Sequence, residues 1–150
     1  KSLWTYISMY EMFCYYCGST DDLTLDHTVP VSFYSPRPTR KGMKSKYTDP
    51  VPVVDCCTEC NSTLHNKLVI DVRDRADLIQ KRYVKKYKKV LSLPRWDEED
   101  IDELGKNLRS VVVRDQILQT NLKERLDYLE MIINLTEDPF LAEKQALGYA

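Results

Sequence analysis

Glycine is scarce in this chain, with 4 in 150 residues; proline reaches only 7, and histidine occurs twice. So little glycine and proline, beside 43% hydrophobic and 30% charged residues, excludes collagen-like repeats, low-complexity tracts and disorder in favour of a globular composition. No apolar run approaches the roughly 18 residues needed to span a bilayer, and Lys1-Ser2-Leu3-Trp4 carries no signal-peptide pattern. No internal repeat is visible. The expectation is a soluble, cytoplasmic protein of one ordinary domain, or a compact module with an appended helical segment. Net charge is nearly absent too: 22 Lys and Arg against 23 Asp and Glu give −1, which as a total argues against a polyanionic partner.

The total conceals a division. Residues 1–96 hold 16 basic against 10 acidic side chains, a surplus of +6, whereas residues 97–150 hold 6 against 13, or −7. Arg37, Arg40, Lys41, Lys44 and Lys46 form one acid-free basic stretch, and Lys81 to Lys89 form another. A solvated surface accounts for either run taken alone.

Leu3, Trp4, Ile7, Tyr10 and Phe13 recur at three- and four-residue spacings and predict a short helix over 2–13. Leu23 to Val31 reads as a strand, followed by a Pro- and Lys-rich loop over 35–50, an apolar run Val51 to Val54, and a helix from Thr58. Val72, Ala76, Ile79, Tyr83, Tyr87 and Val90 mark the apolar stripe of a basic helix over 72–91, ended by Pro94. Asp97 is a candidate N-cap for an acidic helix running from about 97 to 134, its seam interrupted by Asp115 and Arg125. That interruption favours packing against a neighbouring helix over a coiled-coil dimer. The expected division is therefore 1–70 for a core and 71–150 for a helical extension.

Five cysteines are an odd number for a disulfide set. Their spacing says more: Cys14-x2-Cys17 and Cys57-x2-Cys60 each place two thiolates on one side of a tight turn, and four sulfurs describe a closed structural zinc site. Gly18 supplies the backbone freedom of the first knuckle, and Cys56 is left as a spare.

Between the pairs stands Asp26-His27, at a strand end, and after the second pair come Asn61 and His65. Hydrolysis of a phosphodiester needs a base to deprotonate water and a cation to neutralise the phosphorane and the leaving 3′ oxygen. Adjacent strand residues point to opposite faces, so Asp26 can turn to an ion and His27 to the water. Asn61 and His65, at i and i+4, share a helix face and can offer an amide oxygen and an imidazole to that ion, a mixed set compatible with Mg²⁺ or Mn²⁺ that leaves Zn²⁺ and Ni²⁺ open.

Cys14-x2-Cys17, Asp26-His27-Thr28-Val29-Pro30 and Cys57-x2-Cys60-Asn61 together resemble an HNH endonuclease of the zinc-knuckle type, over about residues 13–67. The resemblance implies an α+β chain: a ββα-metal core around the four-cysteine zinc site, followed by a mainly helical segment. It further implies metal-dependent cleavage or nicking of DNA, with His27 as general base, Asp26 as first metal ligand, Asn61 at the last motif position and His65 as a further ligand. A phage, homing or restriction setting in a bacterial or phage-infected cell goes with it.

The chain departs from the family pattern at Pro52, where members carry an Asn that braces the loop bearing the base; Asp49, Asp55 or the 32–50 loop is left to do so. With a nuclease in view, Arg37, Arg40, Lys41, Lys44, Lys46, Lys81, Lys85 and Lys88 become candidate contacts to DNA phosphates, which position a duplex without reading bases. Tyr34 and Tyr47 need no such role. The helical segment offers a surface for a homodimer or for docking to a larger complex. The rival reading is a zinc-knuckle DNA-binding or scaffold module without catalysis, and a phosphatase or RNase would share the phosphate chemistry.

Overall fold

The computed structural model describes residues 12–30, 33 and 51–150. The basic loop, with Arg37, Arg40, Lys41, Lys44 and Lys46, lies outside them, as do Tyr34, Tyr47, Asp49 and all of the expected first helix except residues 12 and 13, which are not helical.

Two short strands form the sheet. β1 (Leu23–His27) pairs antiparallel with β2 (Val53–Cys57), in a register that sets Leu23 opposite Cys57 and His27 opposite Val53. The strand expected to reach Val31 ends at His27: Thr28 faces Pro52, whose carbonyl accepts from the Thr28 backbone N–H and hydroxyl at 3.1 and 2.9 Å but which has no N–H to continue the ladder. The alternation along β1 inverts the usual preference, burying Asp26 and leaving Leu25 65% exposed. α1 (Thr58–Leu64) follows β2 directly, with Cys57 as its N-cap.

α2 (Val72–Lys86) is capped by Asp71, whose carboxylate accepts from the Arg73 backbone N–H. The predicted stripe is the buried one: Val72, Ala76, Ile79 and Tyr83 face the core. The helix does not run unbroken to 91. Tyr87, tied by its hydroxyl to Glu59 at 2.6 Å, leaves helical geometry at φ −104° and ψ 19°, and α3 (Lys88–Leu91) adds one further turn.

The helix expected over 97–134 is likewise two helices. Asp97 caps α4 (Glu98–Asp102) as its sequence position predicts. Gly105 then takes an extended conformation as the N-cap of α5 (Lys106–Ile133). Arg109 reaches back from α5 to the carbonyls of Ile101, Asp102 and Leu104, which satisfies acceptors left open where α4 ends. At ~1.5 Å per residue the 28 residues of α5 make a rod of about 42 Å.

α5 packs along α2. Leu129 and Ile132 join Val72, Ala76, Ile79 and Tyr83 in one hydrophobic cluster that also contains Tyr16, Val54, Leu64 and the five cysteines. Gln119, buried in the same helix, donates to the carbonyls of Val90, Leu91 and Leu93 and so holds the end of α3 against α5. α6 (Leu141–Ala146) closes the chain over the start of α2, where the buried Lys144–Asp138 pair meets the Ile70 carbonyl and the Val72 N–H. The acidic rear segment thus shares its core with the strands. No helix among the described residues is long and apolar enough to cross a membrane.

Candidate metal centre and adjoining cavity

The two CxxC turns meet across the hairpin. Cys14, Cys17, Cys57 and Cys60 are all buried, and their sulfurs lie within 4.8 Å of one another. The Cys17 and Cys57 sulfurs are 3.7 Å apart. That is far beyond a disulfide's ~2.05 Å. It is instead close to the edge of a tetrahedron drawn with Zn–S bonds of ~2.3 Å, about 3.8 Å. The four residues therefore fit a thiolate-bound metal ion such as zinc.

Local backbone geometry prepares the site. The Cys60 N–H lies 3.5 Å from the Cys57 sulfur, and the Gly18 N–H donates to the Cys14 carbonyl at 2.9 Å to close the first knuckle. Gly18 has φ +73°, and a Cβ there would stand 3.0 Å from the Tyr128 ring, so both conformation and space demand glycine. Cys56 is buried beside the four but is outside the converging set, its thiol directed to the Cys57 carbonyl at 3.5 Å.

Two side chains that the sequence pattern placed on helix seams, and not at the metal centre, border the sulfurs. The Tyr83 hydroxyl lies 3.0 Å from the Cys60 sulfur, and burial, then the Cys60 charge, push its pKa well above the ordinary phenol value. Arg125 sits 3.8 Å from the Cys57 sulfur and donates to the Tyr83 hydroxyl; burial opposes its charge, but Tyr83 and Cys17 more than offset that.

A cavity of about 500 Å³ is lined by Asp26 and His27 from β1 and by Asn61 and His65 from α1, together with Lys67 and Arg75. The two pairs picked out by spacing are thus brought to one cavity. The Asn61 amide N–H donates to the Thr24 hydroxyl at 3.1 Å. His65 is the C-cap of α1.

The Pro52 carbonyl accepts twice from Thr28, the residue after His27.

Asp26 is engaged by protein groups. Both its oxygens lie 2.8 Å from Nη2 of Arg75, and Oδ2 accepts from the Tyr16 hydroxyl at 2.8 Å. Arg75 also donates to the carbonyls of Val69 and His27 and to the Tyr16 oxygen. Burial works against the Arg75 charge, but Tyr16 and Asp26 outweigh it and raise its pKa; burial raises that of Tyr16 well above the ordinary value. Arg75 was legible as an anomaly, a base on the buried face of α2 between Val72 and Ala76. Its side chain is 2% exposed. Breaking such a pair leaves an uncompensated buried charge, so Arg75→Met is expected to cost about 3–5 kcal/mol of stability. Urea denaturation measures this, and an unchanged midpoint would show the pair to be dispensable.

Among the described residues no second set of three His, Cys, Asp or Glu ligand atoms converges. Lys81, Lys85 and Lys88 are exposed, and the first two, six and ten residues after Arg75, lie about 9 and 15 Å further along α2. Lys81 pairs with Asp77 at 2.7 Å. No family model, no curated protein and no solved structure matches the chain. The site is therefore read from its own residues.

Proposed function

We propose that the chain is a metal-dependent DNA endonuclease of the HNH type, with Cys14, Cys17, Cys57 and Cys60 holding a structural zinc ion. The observation that carries this reading is that Asp26, His27, Asn61 and His65, from a hairpin and the helix that follows it, all line one cavity. His27 takes a proton from water as the water oxygen attacks phosphorus; the bond from phosphorus to the 3′ oxygen breaks, and that oxygen is protonated from solvent. Asp26, Asn61 and His65 would hold a divalent ion, Mg²⁺ or Mn²⁺, which when bound would supply charge neutralisation for the phosphorane and the leaving oxygen. Lys67 at the rim of the cavity and the basic residues of 35–48 serve as phosphate contacts, with Lys81, Lys85 and Lys88 extending the track.

One observation favours the rival from another class, a zinc-knuckle DNA-binding or scaffold module: the carboxylate expected to hold the ion is already satisfied by Arg75 and Tyr16. The two readings separate on metal content and cleavage. The enzyme is expected to nick or linearise plasmid DNA in Mg²⁺ or Mn²⁺ and to bind a second, exchangeable divalent ion besides the one the four thiolates hold. Calorimetry without that second ion, together with intact plasmid, duplex and single-stranded DNA across divalent ions, would leave the module; cleavage of RNA alone would move the substrate class.

A further inference from the structure

A divalent ion held by four thiolates retains about two negative charges. Burying them is costly unless donors and positive charge face the sulfurs. Arg125 belongs to α5, where it interrupts an apolar seam that leucine would complete. Its Nη2 stands 3.8 Å from the Cys57 sulfur and 3.2 Å from Oε2 of Glu59, and its guanidinium carbon lies 4.6 Å from the centre of the Tyr83 ring. Its Nε is buried and has no hydrogen-bond partner among the described residues. Tyr83, from α2, carries the contact on, its hydroxyl 3.0 Å from the Cys60 sulfur and 3.9 Å from that of Cys57.

We propose that Arg125 and Tyr83 are the outer shell of the metal centre, Arg125 compensating the thiolate charge and Tyr83 donating to Cys60, so that metal binding and the docking of α5 on the core are one coupled event. The polar break in the seam is then where the helix grips the centre. The proposal is independent of the nuclease reading, since it concerns the four-cysteine site alone.

The test uses the full chain loaded with zinc or cobalt. Arg125→Met is expected to lose metal to a chelator about 10- to 100-fold more readily, the usual effect of removing an outer-shell partner, and to change the thiolate-to-cobalt charge-transfer band; Tyr83→Phe should move both readouts the same way. Leu129→Ala is the control, because Leu129 is buried in the same helix and joins the same core cluster. At matched stability it should hold metal better than Arg125→Met. In the unmutated chain, chelation should raise hydrogen exchange through residues 119–132 of α5, a measurement that stands even if a variant fails to fold. Native metal retention by Arg125→Met, equal loss by Leu129→Ala, or unchanged exchange in α5 after metal removal would each overturn the proposal.

Discussion

Alanine at His27 should lower plasmid nicking by about 10²- to 10⁴-fold, the range over which a positioned general base contributes, while the zinc held by the four cysteines stays at its native content. The separation is expected because His27 ends β1, opposite Val53, and lies outside the hydrophobic cluster that holds the hairpin to the helices. The turn after it is secured by Thr28 and Pro52, and its backbone carbonyl accepts from Arg75 at 3.3 Å. Single-turnover cleavage with saturating Mg²⁺ or Mn²⁺ reads the chemical step. A variant that cuts at the native rate would remove His27 from the mechanism, whatever became of the metal sites.

Loss of a cysteine ligand should act on folding itself. Apparent binding free energies of structural zinc are about 10–16 kcal/mol, comparable to the whole stability of an ordinary domain, roughly 5–15 kcal/mol. Cys14 and Cys17 bring one knuckle, and Cys57 and Cys60 bring the junction of β2 and α1, into the cluster that also receives α2 and α5. Cys60→Ser, or removal of metal from the native chain, is therefore expected to abolish the cooperative unfolding transition followed by circular dichroism. Cys56→Ala is the contrasting case: Cys56 is as buried as Cys60 but outside the converging set, so its zinc content should stay at one ion per chain. A Cys60→Ser protein that unfolds at the native midpoint would mean that hydrophobic packing, without metal, holds the hairpin to the helices.

The parts of this arrangement that could be read in advance are those whose geometry is local. A CxxC turn brings two sulfurs together within four residues, and a helical i, i+4 relation puts Asn61 and His65 on one face; each needs only backbone stereochemistry. The apolar stripe of α2 and the Asp97 cap belong to the same class, since both follow from the repeat and the ends of a helix. The boundaries were less legible. Apolar periodicity runs through Tyr87 and across Leu104, but the first is drawn out of the helix by Glu59 and the second lies beside a glycine that takes an extended conformation.

Sequence alone thus determined the four thiolates, the two polar pairs on the hairpin and following helix, and the amphipathic face on which the helical half packs. Tertiary structure decided what stands around them. Arg75 meets Asp26 across 49 residues and Arg125 meets Cys57 across 68, and both look from their own helices like charges misplaced on an apolar face. Periodicity records which side of a helix is buried, not what it is buried against. A cation on a buried helix face tells of an anion somewhere, and only the folded chain brings the two within 4 Å: Arg75, fully buried, to Asp26, and Arg125, partly buried, to Cys57.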